Sequence, residues 1–325
     1  MLSAIEIFTE LGRRLRRFGE DERSRNVLCG AISANEWFSE KDIKMAINAI
    51  CREMLDENKL RAWLSHYPTP SEARRVAIIM AGNLPLVGFF DLLCVVVCGY
   101  TAIIKPSSKD NVLMSYVVDL LREIEPCVAI EEYTDASKFD MVIATGGDAA
   151  AKYFKEKFAD KPALIRGSRH SVAVLSGRES QEQIDGLRRD MYSHNGLGCR
   201  NVSLLFIPKG WQSVIPRPRG VVKMRYDNYI CDKAMLSMTG VHFLDLDGAL
   251  AIASCSLPEA LSRIHYVEYN DLTEVEEWLS KEDEKIQCVV SQCVAHPRRV
   301  DFGAAQYPTL TDYADGVDVM RFLIT

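Results

Sequence analysis

Val76-Ala77-Ile78-Ile79-Met80-Ala81-Gly82-Asn83-Leu84-Pro85 is the stretch whose reading decides the fold of this chain. Five apolar, partly β-branched residues predict a strand over 76–80, and Gly82, Asn83 and Pro85 predict a turn. An apolar helix over 86–98 follows, stopped by Gly99, and then a second strand, Thr101-Ala102-Ile103-Ile104-Lys105. Pro106-Ser107-Ser108 leads into a helix through residue 124, with a serine as the expected cap. Residues 141–144 predict a third strand, and Thr145-Gly146-Gly147-Asp148 opens another helix with Asp148 as its expected cap. Strand, turn and helix repeated in this way imply a parallel sheet with crossover helices. Such sheets bind ligands at the C-terminal ends of their strands, where these polar turns lie.

Outward from this core, residues 84–104 carry a single charge, Asp91, and pass a crude hydropathy test for a membrane span. Pro85 and Gly99 divide the run into a helix and a strand, each too short to cross a bilayer, so we read it as buried core with no membrane span. Residues 1–66 read as helical. Ile5, Phe8, Leu11, Leu15 and Phe18 form an apolar stripe, Ser39 caps a helix, and Ile43, Ile47, Ile50 and Met54 repeat at helical spacing. The cluster Arg13-Arg14-Leu15-Arg16-Arg17 reads as a solvated basic face, with a contact to an acidic carrier protein or a phosphate as the alternative. Pro68 and Pro70 mark a boundary. A second α/β unit begins near Ser171, with a strand over 172–175, a helix over 181–193, a helix begun by Asp271-Leu272-Thr273-Glu274, and a strand over 286–290. The expected organisation is a helical segment 1–68, an α/β domain 69–166, a second α/β domain 167–310, and a tail 311–325.

The 325 residues are 48% hydrophobic and 26% charged, with a net charge of -6 that argues against a nucleic-acid partner. Ten cysteines are spread along the chain without a CxxC pair, and the N-terminus has no apolar signal segment. Thiols in a reducing cytoplasm are the expectation. The six histidines do not cluster with cysteines or carboxylates, so no metal site is expected.

One cysteine stands apart. Cys199 follows two glycines in Ser193-His194-Asn195-Gly196-Leu197-Gly198-Cys199-Arg200. Glycines let a substrate approach the backbone closely, and a thiolate there can attack a carbonyl and hold it covalently. The plainer alternative is a small buried hydrophobe.

Four segments then line up in order: Ala81-Gly82-Asn83-Leu84-Pro85-Leu86, Ile103-Ile104-Lys105-Pro106-Ser107-Ser108, Ala144-Thr145-Gly146-Gly147, and Gly196-Leu197-Gly198-Cys199. Together they resemble the aldehyde dehydrogenase superfamily. Residues 85–110, Phe302-Gly303 and the run 312–318 resemble its acyl-thioester reductase branch, the long-chain fatty acyl-CoA reductases of bacterial luminescence. The resemblance covers roughly residues 70–325. It implies an α/β, aldehyde dehydrogenase-like fold of two Rossmann-like domains with parallel-rich sheets. It implies Cys199 as nucleophile and Asn83 as oxyanion donor. Lys105 would contact the adenosine ribose or its 2′-phosphate, Gly146 and Gly147 the pyrophosphate, Met80 the ribose through its backbone, and Glu259 the nicotinamide ribose.

Two departures refine that implication. Aligned through Gly167, the glutamate base that activates a deacylating water becomes Ile165, which favours thioester chemistry over hydrolysis. Ser108 stands where NAD-preferring members place a glutamate, which makes NADPH acceptable, with NADH also possible. The substrate implied is an acyl-CoA or acyl-carrier thioester, and a homo-oligomer is the superfamily's usual state. The alternatives are a CoA-acylating or simple aldehyde dehydrogenase, or a cofactor-free acyl-binding or acyl-transfer protein. His194 is read as a hydrogen-bonded loop residue, with proton donation to a leaving thiolate as the other possibility.

Overall fold

The structure, a computed structural model, describes residues 2–325. The chain divides into two compact units, residues 1–168 with 307–325, and residues 169–306. The helical segment 1–68 and the tail 311–325 are therefore parts of one unit with residues 69–166. The cause is packing. The apolar side chains of the first helices and of the C-terminal helix Val319–Ile324 join the same buried cluster as the first sheet.

The first unit opens with four helices, α1 (Ala4–Leu15), α2 (Glu22–Ala34), α3 (Glu40–Glu53) and α4 (Glu57–Leu64). Ser39 caps α3 by accepting from the Asp42 N–H. The strand–helix repeat then runs β1 (Arg75–Ile79), α5 (Phe89–Val97), β2 (Thr101–Lys105), α6 (Asn111–Ile124), β3 (Ile130–Glu132), β4 (Met141–Thr145), α7 (Asp148–Lys157) and β5 (Ala163–Arg166). The sheet order is β3-β2-β1-β4-β5, every pair parallel. Both faces are covered, as all-parallel sheets require. Val76 and Ile78 face the cluster that contains Phe8, Leu11, Leu92 and Leu93, while Ala77 and Ile79 face Val142, Ala144 and Phe158.

Asp91, the lone charge of the apolar run, is met in this core. Arg166 of β5 grips its carboxylate with two nitrogens, at 2.8 and 3.0 Å. Among the described residues no helix is long and apolar enough to cross a membrane. The basic cluster lies in exposed ion pairs, Arg13 and Arg14 with Glu10, Arg14 also with Glu123, and Arg17 with Glu20.

Three local expectations are corrected. The helix expected over 86–98 begins at Phe89, because Leu86 takes a left-handed backbone (φ 57°) and residues 85–88 form a turn. The cap of α6 is Asp110 rather than a serine, and its carboxylate makes no cap bond because it accepts from the Leu86 N–H at 2.8 Å. The cap of α7 is Gly147; Asp148 is the first helical residue and its side chain accepts from Ser168 N–H at 2.8 Å.

The second unit contains β6 (His170–Val174), α8 (Gln181–Tyr192), β7 (Val202–Pro208), α9 (Lys223–Thr239), β8 (Leu244–Asp245), β9 (Leu250–Ala253), β10 (Arg263–Tyr269), α10 (Leu272–Lys281), β11 (Ile286–Ser291) and β12 (Arg299–Val300). Its seven strands follow the order β12-β11-β6-β7-β10-β9-β8, parallel except for the edge pair β8–β9. Asp271 caps α10 through the Thr273 N–H.

Candidate active site

In the first unit the chain leaves β1 toward β2 and leaves β4 toward β5, so the sheet switches direction between β1 and β4. The crevice outside the C-terminal ends of those two strands is where such sheets bind ligands. Met80, Asn83, Lys105, Ser108, Gly146 and Gly147 all lie on the segments that end or follow β1, β2 and β4. The Met80 N–H donates to the Lys105 carbonyl at 3.0 Å, continuing the β1–β2 ladder one step past the strand. Its side chain is buried beneath Gly88, where an added Cβ would lie 2.6 Å from Met80 Cγ. Asn83 and Ser108 are exposed. Lys105 ends β2 in the open, its Nζ 5.4 Å from the centre of the Tyr133 ring, and no carboxylate pairs with it among the described residues.

At Gly147 α7 begins without a side-chain cap, and an added Cβ there would meet only Ser168 Oγ at 3.9 Å. The first-turn N–H groups of this ten-residue helix are thus open to an anion. These features fit a nucleotide with its phosphate at the glycines.

The loop from residue 82 to 86 is tied to the turn over 107–110. An added Cβ on Gly82 would fall 2.5 Å from Ser107, so the two segments touch only because residue 82 lacks a side chain. Asp110 is 2% exposed, and burial pushes its carboxyl up to about 8.

Cys199 belongs to the second unit, where it lies exposed in a turn over 198–201 that feeds β7. Asn201 builds that turn. Its Oδ1 accepts from the Gly198 N–H at 2.8 Å, and its Nδ2 donates to the carbonyls of Asp190 and Ser193, both at 3.0 Å. Ser171, opening β6 beside it, donates its hydroxyl to the Cys199 carbonyl at 2.8 Å and accepts from the Cys288 N–H at 3.2 Å. Cys288 is buried, and desolvation pushes its thiol up to about 11, which makes it a poor nucleophile.

Just upstream, His194, Asn195 and Gly196 are consecutively left-handed, with φ of 51°, 58° and 77°. Such backbone is costly for the first two residues. Arg225 of α9, 1% exposed, supports it by donating Nη1 to the Asn195 carbonyl at 2.5 Å. The Tyr192 ring centre is 5.3 Å from its guanidinium carbon. Arg225 has no carboxylate partner among the described residues, and burial lowers its pKa. Glu259, exposed, precedes β10, the parallel neighbour of β7. Cys199 and Glu259 therefore share the N-terminal edge of two adjacent strands. His194 is buried in this loop. Ile165 is half-buried on β5, packed with the cluster around Val142 and Phe158.

Asn201, Ser171 and Arg225 did not emerge from the sequence. Asn201 was findable, because an asparagine two residues past a glycine-cysteine turn is a turn-forming residue. Nothing local singles out Arg225, which reaches its carbonyl from 30 residues away.

No family model matches the sequence, and no curated protein sequence matches it. Solved structures do match. An aldehyde dehydrogenase from Mycobacterium tuberculosis complexed with NAD+ superposes with TM-score 0.64 at 12% identity, over 90% of this chain and 73% of that one. An acetylating aldehyde dehydrogenase from Geobacillus thermoglucosidasius gives TM-score 0.65 at 11% identity, over 98% of this chain and 88% of that one. An aldehyde dehydrogenase from Physcomitrella patens in complex with succinate gives 0.62 at 12% identity, over 89% and 72%. The fold is thus aldehyde dehydrogenase-like.

Proposed function

We propose that this chain reduces acyl thioesters to aldehydes through an acyl-enzyme on Cys199, using NADPH or NADH. The observation that carries the reading is the fixed, exposed turn around Cys199, held by Asn201 and Ser171 on a fold of this type. The nucleotide-fitting crevice of the first unit and the NAD+ complex among the similar structures support the cofactor. The acetylating dehydrogenase among them supports thioester chemistry.

Cys199 Sγ, as thiolate, adds to the thioester carbon and the electron pair moves to the carbonyl oxygen. The Asn83 amide and the Cys199 N–H are the donors assigned to that oxyanion. Collapse breaks the bond to the CoA or carrier thiol, which leaves as thiolate and takes up a proton. When bound, the reduced nicotinamide supplies the hydride that turns the acyl group into an aldehyde. Cys199 Sγ then departs from the carbon and is restored. Ile165 offers no base for a competing water, so the acyl group is retained for reduction. Lys105, Ser108, Met80, Gly146 and Gly147 are assigned to the nucleotide and Glu259 to the nicotinamide ribose. The net charge of -6 argues against a nucleic-acid partner.

The test is a panel of acyl-CoA thioesters supplied with NADPH, read as cofactor oxidation together with the aldehyde formed. Stoichiometric aldehyde from the wild type and none from Cys199→Ala is the expected result. Cofactor oxidation that persists in Cys199→Ala contradicts the assignment.

A further inference from the structure

We infer that Asn35, from the N-terminal helical segment, is a positioning residue that locks the Asn83 loop and the Ser108 turn into one body. The inference rests on the reading above for what those two segments do, and on geometry for the lock itself. α2 ends at Asn35, whose backbone turns extended (φ -144°, ψ 104°) and whose side chain is 6% exposed. Its Nδ2 donates to the Gly82 carbonyl at 3.4 Å and to the Lys109 carbonyl at 3.2 Å. Gly82 directly precedes Asn83, and Lys109 directly follows Ser108. One planar amide, with two N–H groups at a fixed angle, therefore sets the spacing between the assigned oxyanion donor and the assigned ribose contact.

The amide is itself held. Asn35 Oδ1 accepts from the Trp37 N–H at 3.1 Å, which fixes the side chain's orientation. A second tie, Asp110 to the Leu86 N–H at 2.8 Å, joins the same two segments. The 2.5 Å approach of a would-be Gly82 Cβ to Ser107 shows how little slack remains between them. Asn35 is 47 and 74 residues from its two acceptors, so these contacts hold the tertiary structure rather than a local turn. On this account residues 2–66 contribute more than core to the first unit. They supply the pin that keeps its ligand-facing loops in register.

Two variants separate positioning from plain stability. Asn35→Asp keeps the shape and the Trp37 contact but sets a carboxylate oxygen against two carbonyls. Asn35→Ala removes the bridge without repulsion and serves if the aspartate variant does not fold. The first readout is hydrogen exchange followed by mass spectrometry on the full chain. Segments 82–86 and 107–110 should both exchange faster, by about threefold or more, while the peptide carrying Cys199 is unchanged. The second readout is steady-state kinetics per folded molecule. A loss in kcat of about tenfold, together with a raised KM for NADPH, is expected.

If the two segments loosen together while the wild type itself reduces no thioester, the lock stands and the proposed function falls. If the wild type is active and either segment stays as protected as before, the inference is overturned. It is equally overturned by a lower melting temperature with kcat and KM both unchanged.

Discussion

Each unit buries one arginine almost completely, and the two are treated differently. Arg166 in the first unit is 5% exposed and is matched by both oxygens of Asp91. Arg225 in the second is 1% exposed and meets a backbone carbonyl and a tyrosine ring, with no carboxylate among the described residues. A paired buried arginine holds elements together. A buried arginine without an acid is costly to desolvate, and what it gains here is control of a left-handed loop four residues before Cys199. The difference teaches where each unit places its strain. The first keeps its core in balance and spreads its left-handed residues along the chain, at Gly19, Leu86, Gly99 and the pair Asp315–Gly316, while the second stacks three in a row just before Cys199.

The largest effect should come from breaking the paired side. Asp91→Ala strands Arg166 in the core and should cost about 3–5 kcal/mol of stability, read by denaturant unfolding. A loss no greater than that of a surface substitution would remove the distinction between the two arginines. Comparable in size, but in rate, Asn83→Ala should lower kcat by about 10²–10³ with the fold intact, because its side chain is exposed. Near wild-type turnover would reduce Asn83 to a turn former.

Arg225→Met sharpens the contrast. Removing a buried cation that has no carboxylate partner should change stability far less than Asp91→Ala does, while slowing acylation of Cys199 by about tenfold, the equivalent of one lost hydrogen bond. Equal damage to stability from both variants would make Arg225 an ordinary core residue.

The last effect is a slope. Asp110 ordinarily titrates near 3.8 and burial pushes it up to about 8. The folded state therefore holds its proton more tightly than the unfolded state. The resulting stability is full below about pH 4 and is lost as pH rises through about 8. Asp110→Asn keeps an acceptor for the Leu86 N–H and should flatten that decline, by at most about 1.4 kcal/mol per pH unit. Parallel stability–pH curves for the two proteins would show that Asp110 does not carry the proton.

Much of the first sheet was legible in the sequence. β2 matches its expected span, β1 lies one residue earlier than expected at both ends, and β4 runs one residue longer. Short β-branched runs bounded by glycine and proline leave little choice of conformation. The two cap errors share a cause. Asp110 and Asp148 look like, or sit beside, local caps, yet their carboxylates are taken by amides 24 and 20 residues away. The loops of the candidate site were likewise visible as glycine-rich turns. The side chains that fix them, Asn35 and Arg225, were not, because each comes from a helix whose pattern records only which face is apolar.

The central claim is that Cys199 accepts the acyl group, and the most direct test omits the nicotinamide cofactor. The protein is exposed to a long-chain acyl-CoA alone, its intact mass is measured, and the modified peptide is mapped. One acyl group on Cys199 in the wild type, and no mass gain in Cys199→Ala, is the predicted result. Acyl groups on Cys94 or Cys98 of the buried α5 region, or the same gain in Cys199→Ala, would contradict it.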